Sequence, residues 1–306
     1  MQVPFEIDFV FPWVNNQDPI WRNTYLNYCK KHNHADKISK ISSCRYRDWN
    51  SLRYLFRAIA TNMPWIRTIH LIVSNKEQIP EWLNTEKVHI VLHEDIIPAS
   101  VLPTFNSGVI EMFIPSIPGL SEHFIYSNDD MFPVRLTQPT DWFTEQGLPR
   151  YNMQTHYKVS NIFRQMISNE WWLLQKRLGL PVDMTNYQRP WHCMSPLLKS
   201  QCQKALNLCT DRILPSCSAF REGKNMTQYL YSDYIFLTNQ SSTSEIQFKY
   251  MDTSAWDQIS SVFKKDYHVI CLNDSVKCDA NEMRAGVRIL QTCLQKKFPN
   301  PCKYEK

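Results

Sequence analysis

Two adjacent aspartates, Asp129 and Asp130, follow an apolar segment in the stretch HFIYSNDDMFPVR, residues 123–135. Neighbouring carboxylates repel each other, so the pair is tolerated where both groups face water or where a cation binds them. Mg²⁺ is typically held by one or two carboxylates together with phosphate oxygens. The pair therefore suits a divalent cation that binds with a nucleotide diphosphate. Aspartate is also a common turn residue, so these residues alone leave a solvated turn as the alternative.

A second polar pair, Asn273 and Asp274 in CLNDS, also ends an apolar segment. Two strand ends of this kind could share one cation. A zinc site has little support, because none of the ten cysteines forms a CxxC pair. We expect these thiols to be reduced and mostly buried, since the chain starts without a recognisable signal peptide.

Three further ionisable residues lie in apolar or aromatic surroundings. Glu111, in LPTFNSGVIEMF, lies either on the wet face of a helix or in a buried site, and buried carboxylates are rare unless they are paired. His192, in RPWHCMSPLLK, and Arg221, in SAFREGKN, have no sequence neighbour that marks them as catalytic. A satisfied core or surface histidine and a surface arginine are the alternatives.

Four arginines, Arg45, Arg47, Arg53 and Arg57, precede and enter a predicted helix. Arg53 and Arg57 are four residues apart and therefore share one helix face. Such a group is either a solvated face or a phosphate clamp, because a guanidinium can pair with phosphate through two hydrogen bonds.

The first half of the chain alternates between predicted strands and helices. Apolar strands are predicted at residues 7–14, 69–73, 88–92 and 124–126. Helices are predicted at residues 21–31, 48–59 (with Asp48 as the N-cap) and 106–113. This order predicts an α/β fold with a mainly parallel, doubly wound sheet. Ligands bind beyond the carboxyl ends of the strands in such sheets, so we expect the loops NNQDP and NDD to meet at one rim.

The second half is richer in predicted helix. The helices are predicted at residues 162–178, 226–237 and 280–297, and a late strand is predicted at residues 267–272. Pro139, Gly147 and Pro149 interrupt the pattern between the two halves. We therefore divide the chain into residues 1–140 and residues 141–306.

Composition narrows the classes of partner. The 306 residues carry a formal net charge of +5 and contain no long run of Lys or Arg, which argues against nucleic acid. The mild positive charge suits an anionic small substrate or an acidic membrane surface. No stretch of about 18 apolar residues is present, so we expect no transmembrane helix and a cytoplasmic protein.

Seven segments together resemble the Stealth family of bacterial capsule and surface-polysaccharide hexose-1-phosphate transferases. That family is related to the catalytic core of the animal lysosomal-enzyme N-acetylglucosamine-1-phosphotransferase. The longest blocks are IDFVFPWVNNQDPIW at 7–21, RYRDWNSLRYLFRAIATNMPWIRTIHLIVSNKEQIPEWLN at 45–84, LPTFNSGVIE at 102–111 and IPGLSEHFIYSNDDMF at 117–132. Shorter blocks follow: HCMSPLLK at 192–199, FREGKNMTQY at 220–229 and CLND at 271–274.

The resemblance implies a role for most of the residues named above. It implies a catalytic group of Glu111, Asp130, His192 and Arg221. It implies a Mg²⁺ or Mn²⁺ ion held by Asp129, Asp130, Asn273 and Asp274. Substrate contacts are assigned to Trp13, Asn15, Arg47, Arg53, Arg57 and Asn106. Two positions depart from the family pattern: Asn15 stands where many members have aspartate, and Asn225 where an acidic residue often follows the arginine.

The implied reaction is the transfer of a sugar-1-phosphate from a UDP-sugar, with an N-acetylhexosamine expected. A hydroxyl of an oligosaccharide or polysaccharide acceptor attacks, UMP leaves and a phosphodiester forms. His192 is the preferred base, because a carboxylate that holds a metal is a poor base, and Asp130 and Glu111 are the alternatives. Residues 1–140 would form the nucleotide-sugar-binding α/β part, resembling a nucleotide-sugar transferase core, and residues 141–306 a helix-rich part completing the same catalytic domain. By analogy with capsule synthesis, we also expect peripheral association with the inner face of the cytoplasmic membrane.

Two alternative functions stay open at this stage. A metal-dependent glycosyltransferase would use the same donor and similar acidic pairs, but it would release UDP. A non-catalytic carbohydrate-binding protein would suit the ten Trp and fourteen Tyr residues. The second alternative does not explain why acidic residues recur at predicted strand ends.

Overall fold

The computed structural model describes residues 3–41, 43–274 and 280–306. The strands are β1 (Ile7–Pro12), β2 (Ile69–Val73), β3 (Val88–Leu92), β4 (His123–Tyr126), β5 (Met131–Pro133), β6 (Arg150–Tyr151), β7 (Met153–His156), β8 (Tyr187–Pro190), β9 (Ser195–Leu198), β10 (Ser242–Thr243), β11 (Phe248–Asp252) and β12 (Val269–Asn273). The helices are α1 (Pro19–Lys31), α2 (Ala35–Ile38), α3 (Leu52–Asn62), α4 (His93–Ile96), α5 (Ser107–Met112), α6 (Pro139–Trp142), α7 (Ile162–Arg177), α8 (Lys199–Leu208), α9 (Thr210–Ser216), α10 (Tyr229–Leu237), α11 (Ile259–Val262) and α12 (Ala280–Lys297).

The largest sheet has five strands in the order β3-β2-β1-β4-β9. Most of its strands are parallel, while β9 pairs with β4 in the antiparallel direction. The order β3-β2-β1-β4 reverses after β1, as it does in doubly wound sheets. All five residues of β2 are buried, as is usual for a strand covered on both faces. The predicted α/β fold with a mainly parallel sheet is confirmed.

The chain forms two compact units, and each is built from separate segments. The first unit comprises residues 1–9, 91–126 and 139–245, and the second comprises residues 10–90, 127–138 and 246–306. These units do not follow the predicted division into residues 1–140 and 141–306, because each takes segments from both halves. Assembly of both parts into one catalytic domain stays a prediction.

Smaller sheets complete each unit. In the first unit, β10 pairs with β6 in parallel and β7 pairs with β8 in antiparallel. In the second unit, β12 pairs in parallel with β11 and in antiparallel with β5. The second pairing places Cys271 opposite Met131, which directly follows Asp130. The late predicted strand is therefore bound to the chain that carries the two aspartates.

Side chains cap several of the helices. Asp18 caps α1, because its carboxylate accepts hydrogen bonds from the amides of Ile20 and Trp21, and Pro19 stands in the first turn. Asn106 caps α5 by accepting from the amide of Gly108 at 3.2 Å. Asn161 caps α7 by accepting from the amide of Arg164 at 2.9 Å.

The prediction of Asp48 as a helix cap is wrong. Helix α3 begins at Leu52, its cap position is Ser51, and no side chain caps it. Asp48 instead accepts a hydrogen bond from the amide of Asn50 at 2.9 Å, and Asn50 has a left-handed φ of 53°. The chain therefore turns between Asp48 and the helix, and the carboxylate is left on the loop.

Two other expectations concern thiols and membrane spans. The described cysteines are all free: Cys29, Cys44, Cys193, Cys202, Cys209, Cys217, Cys271, Cys293 and Cys302. Cys278 lies outside the described residues. Of the helices that the structure describes, none is both long enough and apolar enough to cross a membrane.

Candidate active site

The aspartate pair lies in the loop that follows β4, in the second unit. The amide of Ser127 donates to the carbonyl of Val10 at 2.9 Å, so the chain after β4 runs beside β1. The carbonyl of Asp130 accepts from the amide of Leu272 at 3.0 Å, which ties the loop to β12. These two backbone contacts hold the aspartates between the ends of a core strand and a strand of the smaller sheet.

The surroundings of the pair are strongly unfavourable for negative charge. Burial raises the pKa of Asp129 to about 8, and the nearby charges of Asp130 and Asp48 add to this rise. Burial also raises the pKa of Asp130 to about 6, with a further contribution from Asp274. We call Asp48, Asp129, Asp130 and Asp274 the acidic cluster. The like charges of neighbouring carboxylates thus add to the effect of burial on the pKa of Asp129 and of Asp130.

A cation bound beside these aspartates would offset their unfavourable negative charge. The Oδ1 atom of Asp130 is buried and has no hydrogen-bond partner among the described residues. Within residues 3–41, 43–274 and 280–306, no three His, Cys, Asp or Glu side chains are placed to hold a metal ion by themselves. The cluster therefore fits a cation that takes some of its ligands from a bound phosphate, which is the usual arrangement for Mg²⁺.

The two predicted residues after β12 have different partners. Asp274 forms a bidentate ion pair with Arg47, in which Nη2 and Nε of the arginine lie 2.7 and 2.8 Å from the carboxylate oxygens. Asn273 donates through Nδ2 to the carbonyl of Asp274 at 3.1 Å. Arg47 therefore lies at the edge of the acidic cluster, while Asp274 already has a cationic partner.

The loop after β1 is held in shape by one glutamine. Gln78 Oε1 accepts from the amide of Asn15 at 2.6 Å, and Gln78 Nε2 donates to Asp18 at 2.8 Å. Trp13 is buried, and its amide donates to the carbonyl of Ile72 at 2.9 Å. The predicted nucleotide contacts, Trp13 and Asn15, therefore belong to an ordered loop in the unit that carries the acidic cluster.

The arginines of α3 are engaged with the C-terminal segment. Arg57 donates to both carboxylate oxygens of Glu305 at 2.7 and 2.9 Å, and to the carbonyl of Phe298 at 3.0 Å. Arg53 lies 3.4 Å from the same carboxylate and stacks over the ring of Trp82 at 5.0 Å. Since the guanidinium of Arg57 is buried and fully engaged, we leave Arg57 out of the proposed site.

Replacing Arg57 by methionine will lower the free energy of unfolding by about 3 kcal/mol, because the buried Glu305 loses its partner. Burial opposes ionisation of Glu305, but the hydrogen bonds and charge of Arg57 outweigh it and lower the pKa of that carboxyl. Urea unfolding of the purified protein measures the effect. Arg53→Met is the matched control, since that side chain is 43% exposed and its ion pair is worth less than about 1 kcal/mol. Equal losses in the two variants would contradict the structural role.

Glu111 lies in the first unit, on the last turn of α5, and is 8% exposed. Its Oε1 accepts from the hydroxyl of Tyr126 at 3.0 Å, and its Oε2 accepts from the amide of Gln228 at 2.8 Å. Burial raises the pKa of Glu111, while these hydrogen bonds and the charge of Arg221 oppose the rise. Glu111 therefore joins α5 to the residue that precedes α10.

Arg221 contacts the other end of α5. Its Nη2 donates to the hydroxyl of Ser107 at 2.8 Å, and its guanidinium lies 5.7 Å from the ring centre of Phe163. The same ring packs edge-on against His192 at 6.3 Å. Helix α5 packs close to the segment that contains Met226, because a Cβ atom at Gly108 would lie 2.8 Å from the carbonyl of Met226.

His192 completes this arrangement through an aromatic hydroxyl. Its Nδ1 lies 2.9 Å from the hydroxyl of Tyr229, the first residue of α10. Burial lowers the pKa of His192 to about 3, and the charges of Arg189, Arg221 and Arg164 contribute. The structure thus connects Glu111, Arg221 and His192 through α5, Phe163 and Tyr229, and we call these residues the polar network of the first unit.

Asn106 and Asn225 form a buried framework around Arg221. Asn106 Nδ2 donates to Asn225 Oδ1 at 2.9 Å, and Asn225 Nδ2 donates to the carbonyl of Ser216 at 2.6 Å. Both side chains are at most 2% exposed. Asn225, which departs from the family pattern, therefore fixes the loop that carries Arg221.

Comparisons with known proteins agree with the sequence motifs. The exopolysaccharide phosphotransferase cps2G of Lactiplantibacillus plantarum is 31% identical to this chain, over 99% of this chain and 97% of that protein. The family model for Stealth protein CR2, conserved region 2, matches residues 45–151. The chain belongs to the Stealth family. This membership confirms the resemblance predicted from the seven segments.

Other Stealth relatives extend the similarity. The capsular polysaccharide phosphotransferase fcs1 of Haemophilus influenzae is 32% identical over 90% of this chain and 80% of that protein. The receptor polysaccharide phosphotransferase WefC of Streptococcus oralis is 42% identical, but over 48% of this chain and 44% of that protein. Among solved structures, the galactosyltransferase LgtC aligns over 94% of this chain and 95% of its own, at 9% identity and a TM-score of 0.41.

Two residues that matter for these arrangements were missed by sequence reasoning. Asp48 was assigned to a helix cap, yet its charge acts on Asp129. Tyr229 was assigned to an aromatic helix, yet its hydroxyl contacts His192, 37 residues away in the chain. The RYRDW block around Asp48 and the FREGKNMTQY block that ends at Tyr229 were the available signals.

Proposed function

We propose that this Stealth protein transfers a sugar-1-phosphate from a UDP-sugar to a hydroxyl of a surface polysaccharide, with release of UMP. An N-acetylhexosamine is the expected sugar. The observation that carries the proposal is the similarity, over nearly the whole chain, to a protein named as an exopolysaccharide phosphotransferase. The acidic cluster supports it, because a pyrophosphate donor is commonly bound together with a divalent cation.

In the second unit, Asp129 and Asp130 would hold Mg²⁺ or Mn²⁺. A cation bound there would supply positive charge for the pyrophosphate. Arg47 would position Asp274 at the edge of this cluster through their bidentate ion pair. Trp13 and Asn15 would contact the nucleotide from the loop that Gln78 holds in place.

In the first unit, Arg221 would bind an oxygen of the transferred phosphate, since phosphoryl transfer depends mainly on positioning and on stabilising the charge. Glu111 would fix the start of α10 through its bond to the amide of Gln228. Three groups stay candidates for the base that takes the proton of the acceptor hydroxyl: His192, Glu111 and Asp130.

The two alternatives predict different outcomes in one assay. The purified protein is incubated with UDP-N-acetylglucosamine, Mg²⁺ and short oligosaccharide acceptors, and the released nucleotide is identified by chromatography. UMP is the expected product. UDP would show a glycosyltransferase that breaks the bond at the anomeric carbon, and it would overturn the proposal. Sugar binding with no nucleotide released from any UDP-sugar would favour a non-catalytic binding protein.

Peripheral association with the inner face of the cytoplasmic membrane stays a prediction. It is based on the net charge of +5 and on the basic segment KKFPNPCKYEK at residues 296–306. That segment is packed, since Tyr304 is 3% exposed and its carbonyl accepts from the amide of Asn84. Sedimentation with anionic vesicles at low and high salt tests the peripheral association, and absence of binding at low salt would exclude it.

A further inference from the structure

The hydroxyl of Tyr229 lies between an arginine and a histidine. Arg189 Nη1 donates to the hydroxyl oxygen at 3.2 Å, and His192 Nδ1 lies 2.9 Å from the same atom. Tyr229 is 2% exposed, so water does not reach this hydroxyl readily. A guanidinium has donors and no acceptor. The contact with Arg189 therefore occupies a lone pair of the oxygen and leaves the hydroxyl proton to find an acceptor elsewhere.

His192 supplies that acceptor. Of the described residues, it is the one that offers the Tyr229 hydroxyl an acceptor at hydrogen-bond distance. If Nδ1 carried a proton, the tyrosine would present its own buried proton to no partner, which is costly. The arrangement that satisfies all three groups has Arg189 donating to the tyrosine oxygen and the tyrosine donating to Nδ1. The proton of a neutral imidazole then lies on Nε2.

The charges around the ring keep it neutral. Arg189, Arg221 and Arg164 all disfavour the imidazolium form of His192, in addition to burial. His192 as a whole residue is half-buried. A neutral imidazole with its proton on Nε2 presents a donor at that atom and has no lone pair there to take a proton.

We propose that Tyr229 and Arg189 are positioning residues that hold His192 in the Nε2–H tautomer, so that the imidazole donates a hydrogen bond to an oxygen of the transferred phosphate. The proposal rests on the proposed function for the identity of the ligand. It removes His192 from the candidates for the base. The proton of the acceptor hydroxyl then goes to the carboxylate of Glu111, as the new oxygen–phosphorus bond forms and the bond to UMP breaks.

Two buried carboxylates hold the tyrosine in place. Glu170 accepts from the amide and the hydroxyl of Thr227, and Glu111 accepts from the amide of Gln228, so both bind the start of α10. Asp233, a fully buried residue one turn further along α10, has a pKa raised by burial, and the charge of Arg189 opposes this rise. The Tyr229 hydroxyl is thus fixed by the hydrogen bonds to the residues that precede its helix.

Nitrogen-15 NMR of histidine-labelled protein tests the tautomer without substrate. The signals of His192 are identified by their loss in His192→Gln. We expect a protonated Nε2 and an unprotonated Nδ1 in the unmodified protein, and a mixture of tautomers in Tyr229→Phe. Tyr231→Phe is the matched control, because it also loses a buried hydroxyl, bound to the carbonyl of Met112 at 2.7 Å, without touching His192. A protonated Nδ1 in the unmodified protein would overturn the proposal.

Kinetics supply the second readout. Tyr229→Phe should lower kcat about tenfold or more with KM nearly unchanged, because a wrong tautomer affects the reacting state rather than substrate binding. Tyr231→Phe should leave both constants near those of the unmodified protein. An unchanged kcat in Tyr229→Phe would overturn the positioning role. A failure of the proposed function would appear separately, as UDP in the nucleotide assay, and would leave the NMR result standing.

Discussion

Replacing Asp130 by asparagine will abolish sugar-phosphate transfer and remove the stabilisation of the protein by Mg²⁺ or Mn²⁺. Burial and neighbouring carboxylates make negative charge on Asp129 and Asp130 unfavourable, and Oδ1 of Asp130 has no hydrogen-bond partner among the described residues. A cation that binds only the folded state and is present at a concentration of about 100 times its Kd stabilises the folded protein by about 2.7 kcal/mol. Thermal unfolding with and without the ion measures this gain, and the nucleotide assay measures the activity.

The stabilisation of the protein by Mg²⁺ or Mn²⁺ should grow as the pH rises. The pKa values of about 8 for Asp129 and about 6 for Asp130 lie above the ordinary value near 3.9, so the folded protein binds more protons than the unfolded chain. Without metal, its stability therefore falls as the pH rises from about 4 to about 8. A cation competes with those protons, and its binding should strengthen over the same window. Melting temperatures at pH 5, 6, 7 and 8 give the profile.

Asp266→Asn is the matched control for this series. Asp266 lies in the same unit, is 82% exposed and pairs at the surface with Arg135. Its replacement removes one negative charge without changing the acidic cluster, and its effect on stability should be below about 1 kcal/mol. If Asp130→Asn still gained stability from Mg²⁺ as the unmodified protein does, the cluster would not be the cation site.

The fold was largely predictable because its strands are apolar runs and because helices such as α1, α5 and α7 carry side-chain caps. The runs at β1, β2, β3 and β4 were located within two residues of their ends. The predicted start of α10 at residue 226 was three residues early, since Thr227 and Gln228 bond to buried carboxylates outside the helix. The two compact units were not predictable, because sequence order gives no signal that each is built from distant segments.

The sequence motifs identified the residues of the candidate site, but they did not predict which residues contact one another. The motifs pointed to Glu111, His192 and Arg221, and the structure joins all three through α5 and α10. The sequence did not separate Arg57, which bonds to Glu305, from Arg47, which lies beside the acidic cluster. Both arginines precede or enter the same helix, so their partners, more than 200 residues away, decide their roles.

The polar network predicts that Arg221 is needed as an arginine. Arg221→Ala should lower kcat about 10²- to 10³-fold, the cost of removing one fixed donor to a developing charge. Arg221→Lys should restore little of the activity. A lysine ammonium keeps the charge, but it lacks the planar fork that both donates to Ser107 and lies over the ring of Phe163. The nucleotide assay, run at several donor concentrations, separates kcat from KM.

Lys224→Ala is the matched control, because Lys224 lies three residues on, is about half exposed and pairs with Glu222 at the surface. Its activity should match that of the unmodified protein, while thermal unfolding checks that each variant is folded. Full activity in Arg221→Lys would show that charge alone is sufficient and that the guanidinium geometry is unimportant. A rise in KM with unchanged kcat in Arg221→Ala would place the arginine in substrate binding and not in the stabilisation of the transferred phosphate.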